Sequence, residues 1–312
     1  MLARALRIVV FIELFAAAAI AARLHLADDW GLIASIVAGV AAPIAVHAAI
    51  VAIDFAIARY AASPVPAQFR IGVAGSVVLY LREFADSFRA FQVALPWFAG
   101  RPLPGEQARG WAPGSPLPVL LIHGYACNRQ VWRPLARWLA ARGHPVDAID
   151  LEPLFASIDD YAPLIEQAVQ HAMLRTGAPR IALVCHSMGG LAARAWLRAG
   201  GAGAVARVAA VVTLGTPHRG TFHARLGQGK NARQMRIDSD WLRTLSASES
   251  ASTRRLFTVI LSHHDNIVAP QSVQTLPDAH VIELAGVGHL TLAYDRHAWG
   301  LVAQALGGRQ AG

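Results

Sequence analysis

Ser187 stands in Cys185-His186-Ser187-Met188-Gly189, with Gly190 behind it, between an apolar run ending at Val184 and the helical pattern Leu191–Arg198. A serine at a strand-to-helix turn is held in a strained backbone conformation that lifts its hydroxyl off the sheet edge, and the residues two before and two after it nearly touch. Gly189 suits that closeness; Cys185 stands where the usual pattern has glycine. The chemistry of such a turn is nucleophilic attack. A hydroxyl is a poor nucleophile until a base takes its proton, and an imidazole base needs a carboxylate to orient it. Of the thirteen histidines, His289 is best placed, in a flexible Gly286-Val287-Gly288-His289 loop that can swing over the turn. Asp265, in His263-His264-Asp265-Asn266, is the matching carboxylate. Asp295 follows the histidine, Asp278 precedes a strand and Asp150 lies before the serine, so each fits less well. The amides of Tyr125, after His123-Gly124, and of Met188 are candidate oxyanion donors, each typically worth about 2.7 to 4 kcal/mol of barrier.

These residues need a scaffold that brings them to one rim. Apolar runs predict strands at Val119–Ile122, Val146–Ile149, Ile181–Cys185, Val208–Leu214, Phe257–Leu261 and Val281–Leu284. Helical patterns fall at Val131–Arg142, Tyr161–Arg175, Leu191–Arg198 and Leu290–Leu306. The alternation predicts an α/β fold with a mostly parallel six-stranded sheet, helices on both faces and the ligand site beyond the carboxyl ends of the strands. Ser187, Asp265 and His289 all follow such ends.

The other half of the chain is unlike this body. Hydrophobic residues make up 54% of the 312 residues, and the excess is at the front. Gly31–Ile57 is broken only by Ser35, Pro43, His47 and Asp54, and it is long enough to span a bilayer. Ile8–Ala22 is shorter and carries Glu13, which is costly in hydrocarbon. The expectation is a two-helix hairpin over residues 1–60, with a cleaved signal peptide as the competing reading. Arg4, Arg7, Arg59 and Arg70 flank it, so the positive-inside rule puts both ends and the body in the cytoplasm. Residues 61–116 are expected to be a linker carrying an amphipathic helix, on the membrane surface or against the body, and 117–312 the catalytic domain. An insertion at about 218–252 is placed to act as a lid. Its Phe222, Leu226, Met235, Ile237, Trp241 and Leu242 suit either an acyl channel or a satellite core.

The net charge of +8 belongs to the body and is scattered arginine, with Lys230 the sole lysine. That pattern suits anionic lipid headgroups or plain solvation, and no nucleic-acid partner is expected. His263, His264 and Asp265 lack a spaced third ligand, so no metal and no cofactor is expected. Cys127 and Cys185 do not form a metal-like pair.

From Leu117 to Leu306 the chain resembles an α/β-hydrolase, and within that fold the bacterial lipases. The resemblance is carried by Leu121-Ile122-His123-Gly124-Tyr125, His186-Ser187-Met188-Gly189-Gly190, Leu214-Gly215-Thr216-Pro217-His218-Arg219-Gly220-Thr221, Asp265 and Gly288-His289. It implies a Ser187 nucleophile, a His289 base, an Asp265 orienter and hydrolysis of a carboxylic ester through an acyl-enzyme, here at a bacterial inner membrane. A lipid or other acyl ester is the expected substrate. A thioesterase or acyltransferase would use the same three residues, and an inactive membrane scaffold would have been expected to lose one of them.

Overall fold

The computed structural model describes residues 1–307. Its centre is a sheet of β1 (Val119–Ile122), β2 (Val146–Ile149), β3 (Ile181–His186), β4 (Val208–Leu214), β5 (Phe257–Ser262) and β6 (His280–Leu284). The order is β2-β1-β3-β4-β5-β6 and every pair is parallel. β1, β3, β4 and β5 are buried along their whole length, which is why they read as unbroken apolar runs. All six predicted strands are present.

Eleven α-helices occur among the described residues. At the front are α1 (Leu2–Leu26), α2 (Leu32–Tyr60), α3 (Val73–Phe88) and α4 (Leu95–Trp97), the last two joined by a π-helical turn at Arg89–Ala94. Around the sheet lie α5 (Arg133–Ala140), α6 (Ala162–Thr176) and α7 (Met188–Ala206, broken at Gly201). Then come α8 (Gly229–Gln234), α9 (Asp240–Ala247), α10 (Ala251–Arg254) and α11 (Arg296–Gly307). α11 begins later than the periodicity from Leu290 suggests, because Asp295 accepts from the amide of Ala298 at 2.9 Å and caps the helix there. The preceding residues Thr291–Ala293 form a 3-10 turn.

α1 and α2 have 25 and 29 residues, are long and apolar enough to cross a membrane, and pack on one another. Residues 73–103 are more closely joined to the body than a linker would be. Ala90, Leu95 and Leu103 are buried in the same core as β1 and β3. α3 buries Leu79, Glu83 and Ser87, one position per turn. Its opposite face shows Val73, Val77 and Leu81, so the helix is apolar outside and polar toward the sheet rim.

The 218–252 insertion is held down rather than hinged. Arg194 of α7 is fully buried; its Nε and Nη2 each donate to Glu249 at 2.7 Å, and its Nη1 donates to the His218 carbonyl at 2.9 Å. Met235, Leu242 and Leu245 join the core on that side of the sheet. Breaking a buried fork of this kind strands a charge at a cost of about 3–5 kcal/mol. Arg194→Met is therefore expected to lower the free energy of unfolding in detergent by about 3 kcal/mol, read from urea denaturation.

Candidate active site

Ser187 follows β3 directly and has φ 54° and ψ −128°, a left-handed conformation that costs a non-glycine residue about 1–3 kcal/mol. Three hydrogen bonds hold it. Its N–H donates to the Leu214 carbonyl at 2.9 Å, and its carbonyl accepts from the Gly190 amide at 3.1 Å and from the Thr216 hydroxyl at 2.9 Å. Thr216 thus gives the Gly215-Thr216-Pro217 segment a role in bracing the turn. The approach of neighbouring backbone is close: a Cβ on Gly124 would lie 2.7 Å from that of Ser187, and one on Gly189 2.3 Å from the Ile122 carbonyl oxygen. Cys185 is buried without exposure, and burial pushes its thiol well above the ordinary range; the Cys127 thiol is likewise raised to about 12. Both are therefore held as protonated thiols at neutral pH, Cys127 in the wall of the cavity described below.

Asp265 follows β5 and is buried. Its Oδ1 accepts the amides of Ile267 and Val268 at 2.8 and 2.7 Å, which turns Oδ2 toward His289 Nδ1 at 2.9 Å. Nδ1 therefore carries the proton and donates, leaving Nε2 as the free basic nitrogen. Burial alone would lower the imidazole pKa; the Asp265 carboxylate, by charge and by hydrogen bond, and the Glu83 carboxyl outweigh it, so His289 stands above its ordinary value of 6.5.

Ser187, His289, Gly124 and Tyr125 line one cavity of about 440 Å³. Ser187 Oγ makes no hydrogen bond among the described residues, an arrangement common in unliganded sites whose contacts tighten around substrate. The Tyr125 and Met188 amides donate to no group among the described residues, and Met188 is the first residue of α7, where helix amides lack intrahelical partners.

The His289 loop is fastened, in contrast to the mobile loop its glycines suggest. The His289 amide donates to Asn266 Oδ1 at 2.9 Å, and its carbonyl accepts from His186 Nε2 at 2.9 Å. Ser262 Oγ donates to the Val287 carbonyl. The next two amides, of Leu290 and Thr291, each donate at 2.9 Å to Glu83. The His186 ring lies tilted against that of His289, with centroids 4.6 Å apart and planes at 47°, and is held neutral, its pKa brought to about 3 by burial and by the neighbouring imidazole. His123 is also structural: Nε2 accepts from the Leu151 amide at 3.0 Å and Nδ1 donates to the Gly124 carbonyl at 2.8 Å, which shapes the turn into Tyr125.

Glu83 is the residue sequence reasoning missed. It is 3% exposed, and burial raises its pKa against the two amides that favour the carboxylate. The available signal was its position one turn from Leu79 and from Ser87, on the inward face of α3. Glu83→Ala leaves two buried amides without an acceptor beside His289. Since misplacing a catalytic group by about 1 Å can cost about 100-fold, kcat/KM is expected to fall about 10- to 100-fold, with Glu83→Gln less affected. Unchanged steady-state kinetics in Glu83→Ala would remove this role.

None of Phe222, Leu226, Met235, Ile237, Trp241 and Leu242 lines the cavity; Met235 and Leu242 are buried in the core on the α7 side of the sheet, and Leu226 is exposed. Much of the remaining wall comes from α1, α2 and α3, with Phe91 and Gln92 of the π-helical turn and Asn266 and Ile267 beside Asp265.

Residues 119–258 match the model of the alpha/beta hydrolase family. Among solved structures, the chain is similar to the lipase BlEst2 of Bacillus licheniformis in its mature form, with 16% identity and a TM-score of 0.57 over 66% of this chain and 99% of that one. The propeptide form of that lipase gives 17% and 0.56, over 66% of this chain and 54% of that one. Aspergillus fumigatus lipase B gives 19% and 0.54, over 64% and 54%. At these identities the likeness is one of fold.

Proposed function

We propose that this chain, a protein of the α/β-hydrolase fold, is a membrane-anchored serine hydrolase that cleaves carboxylic esters of lipid-like substrates. The observation that carries the reading is the convergence of the strained Ser187 and the Asp265-bound His289 on one cavity. In the proposed reaction the Ser187 hydroxyl attacks the ester carbonyl carbon and its proton passes to His289 Nε2. Asp265 Oδ2 stabilises the imidazolium, and the amides of Tyr125 and Met188 receive the oxyanion. Collapse of the tetrahedral intermediate expels the alcohol, which takes the proton from Nε2. Water, deprotonated by the same imidazole, then releases the acid and restores Ser187.

Membrane anchoring is supported by the length and apolarity of α1 and α2. An anchor rather than a cleaved leader is supported by the seating of α1: Arg7 Nε donates to the Pro96 carbonyl at 2.8 Å, and Leu6 and Val10 line the cavity. The flanking arginines favour a body on the cytoplasmic side of the membrane. The test is hydrolysis of a matched series of esters and thioesters, from acetyl to palmitoyl, by the full chain in detergent. Faster turnover of long-chain esters, lost in Ser187→Ala, is the expected result. A preference for thioesters or for acetyl esters contradicts the lipid-ester reading.

A further inference from the structure

The helices that look like a simple anchor build one side of the catalytic cavity. Leu6, Val9 and Val10 come from the first half of α1, and Ile50 and Val51 from the second half of α2, both at the hairpin end nearest the body. Facing them across the same space are Ser187 and His289. The hairpin is fixed in this position. His47 Nε2 of α2 donates to Ser87 Oγ of α3 at 2.8 Å, its ring meets Phe84 and Phe88 edge-on, and the Tyr80 hydroxyl of α3 donates to the Ala48 carbonyl at 2.8 Å.

Two other facts bear on what this wall does. Glu13, the acidic residue that counts against α1 as a span, lines the cavity, so it sits where lipid is not its only neighbour. The 218–252 insertion contributes nothing to the lining. Part of the wall that faces Ser187 is therefore made by the two helices apolar enough to lie in a bilayer, and a substrate passing between them would come from hydrocarbon, not from water.

We propose that the α1–α2 hairpin is the acyl-binding wall of the site, and that the substrate is a bilayer lipid whose acyl chain passes laterally from the membrane to lie against Val10 and Ile50. This rests on the serine-hydrolase reading of Ser187. A volume of about 440 Å³ lies within the range of about 300–1,000 Å³ usual for small-molecule sites. It suits one chain and an ester group, with the remainder of the lipid left in the bilayer.

The test compares labelling rates of the full chain, in phosphatidylcholine–phosphatidylglycerol vesicles, by a methyl and by a hexadecyl fluorophosphonate. Val10→Trp and Ile50→Trp fill the proposed chain path, while Ile53→Trp, at an exposed position of α2 whose side chain does not line the cavity, is the control. Small changes of fit in an apolar pocket are typically worth about 10- to 200-fold. The expected result is at least about a tenfold loss of hexadecyl labelling in Val10→Trp and Ile50→Trp, methyl labelling close to that of the parent, and no change in Ile53→Trp. Equal loss of both probes, or loss of neither, overturns the acyl-wall proposal while leaving Ser187 a nucleophile. If the parent reacts with neither probe, the hydrolase reading itself falls and takes this proposal with it.

Discussion

Ser187→Ala is expected to lower kcat on a long-chain ester by about 10⁶-fold, because removing the nucleophile of a serine triad abolishes the acyl-enzyme route as a whole. The residual rate would come from the oxyanion amides and from binding, and it should no longer show a burst of alcohol release. His289→Ala should lose nearly as much, and the double variant little more than either alone, since the two groups act as one unit. Additive losses in the double variant would contradict a shared proton transfer. KM should change little in all three, as the cavity walls at Val10 and Ile50 are untouched.

Asp265→Asn is the second large effect, and it tests electrostatics separately from covalent chemistry. An amide in place of Oδ2 leaves His289 in the wrong tautomer, which in serine triads lowers kcat by about 10⁴-fold. The pH profile carries the sign. His289 must be neutral to accept the serine proton, so kcat/KM rises with pH through the imidazole pKa of the free enzyme. In the parent that limb should lie above 6.5, because Asp265 and Glu83 outweigh burial. In Asp265→Asn burial is left less opposed, and the limb should move to lower pH. A limb that stays in place would mean that Asp265 does not set the charge state of His289.

Ser187, Asp265 and His289 were legible because each follows an apolar strand whose identity does not depend on tertiary context. β3 and β5 carry nearly unbroken apolar runs, β6 a shorter one broken by Glu283, and the chemistry sits one to five residues past their ends. The hairpin was legible for the same reason, its length and apolarity being local properties. Glu83 was not. On α3 a charged residue flanked by Arg82 and Asp86 reads as a solvated face, and only the docking of that face over the His289 loop turns it into an acceptor for two buried amides. The glycines of residues 286–289 suggested mobility, yet partners from distant segments, among them Asn266, His186 and Glu83, immobilise the loop. The apolar residues of 218–252 had two readings; none of them lines the cavity, and the buried fork from Arg194 to Glu249 holds the insertion against α7. The cavity wall formed by α1 and α2 lay beyond sequence reasoning altogether, since it depends on how a membrane-like hairpin meets a body whose first strand begins only at Val119.

Mass spectrometry of the full chain after reaction with a fluorophosphonate reads directly whether Ser187 is an activated nucleophile. One adduct is expected, mapped to the peptide containing Ser187, absent from Ser187→Ala and formed far more slowly in His289→Ala. A folded parent that remains unmodified, or an adduct on a different residue, would contradict it.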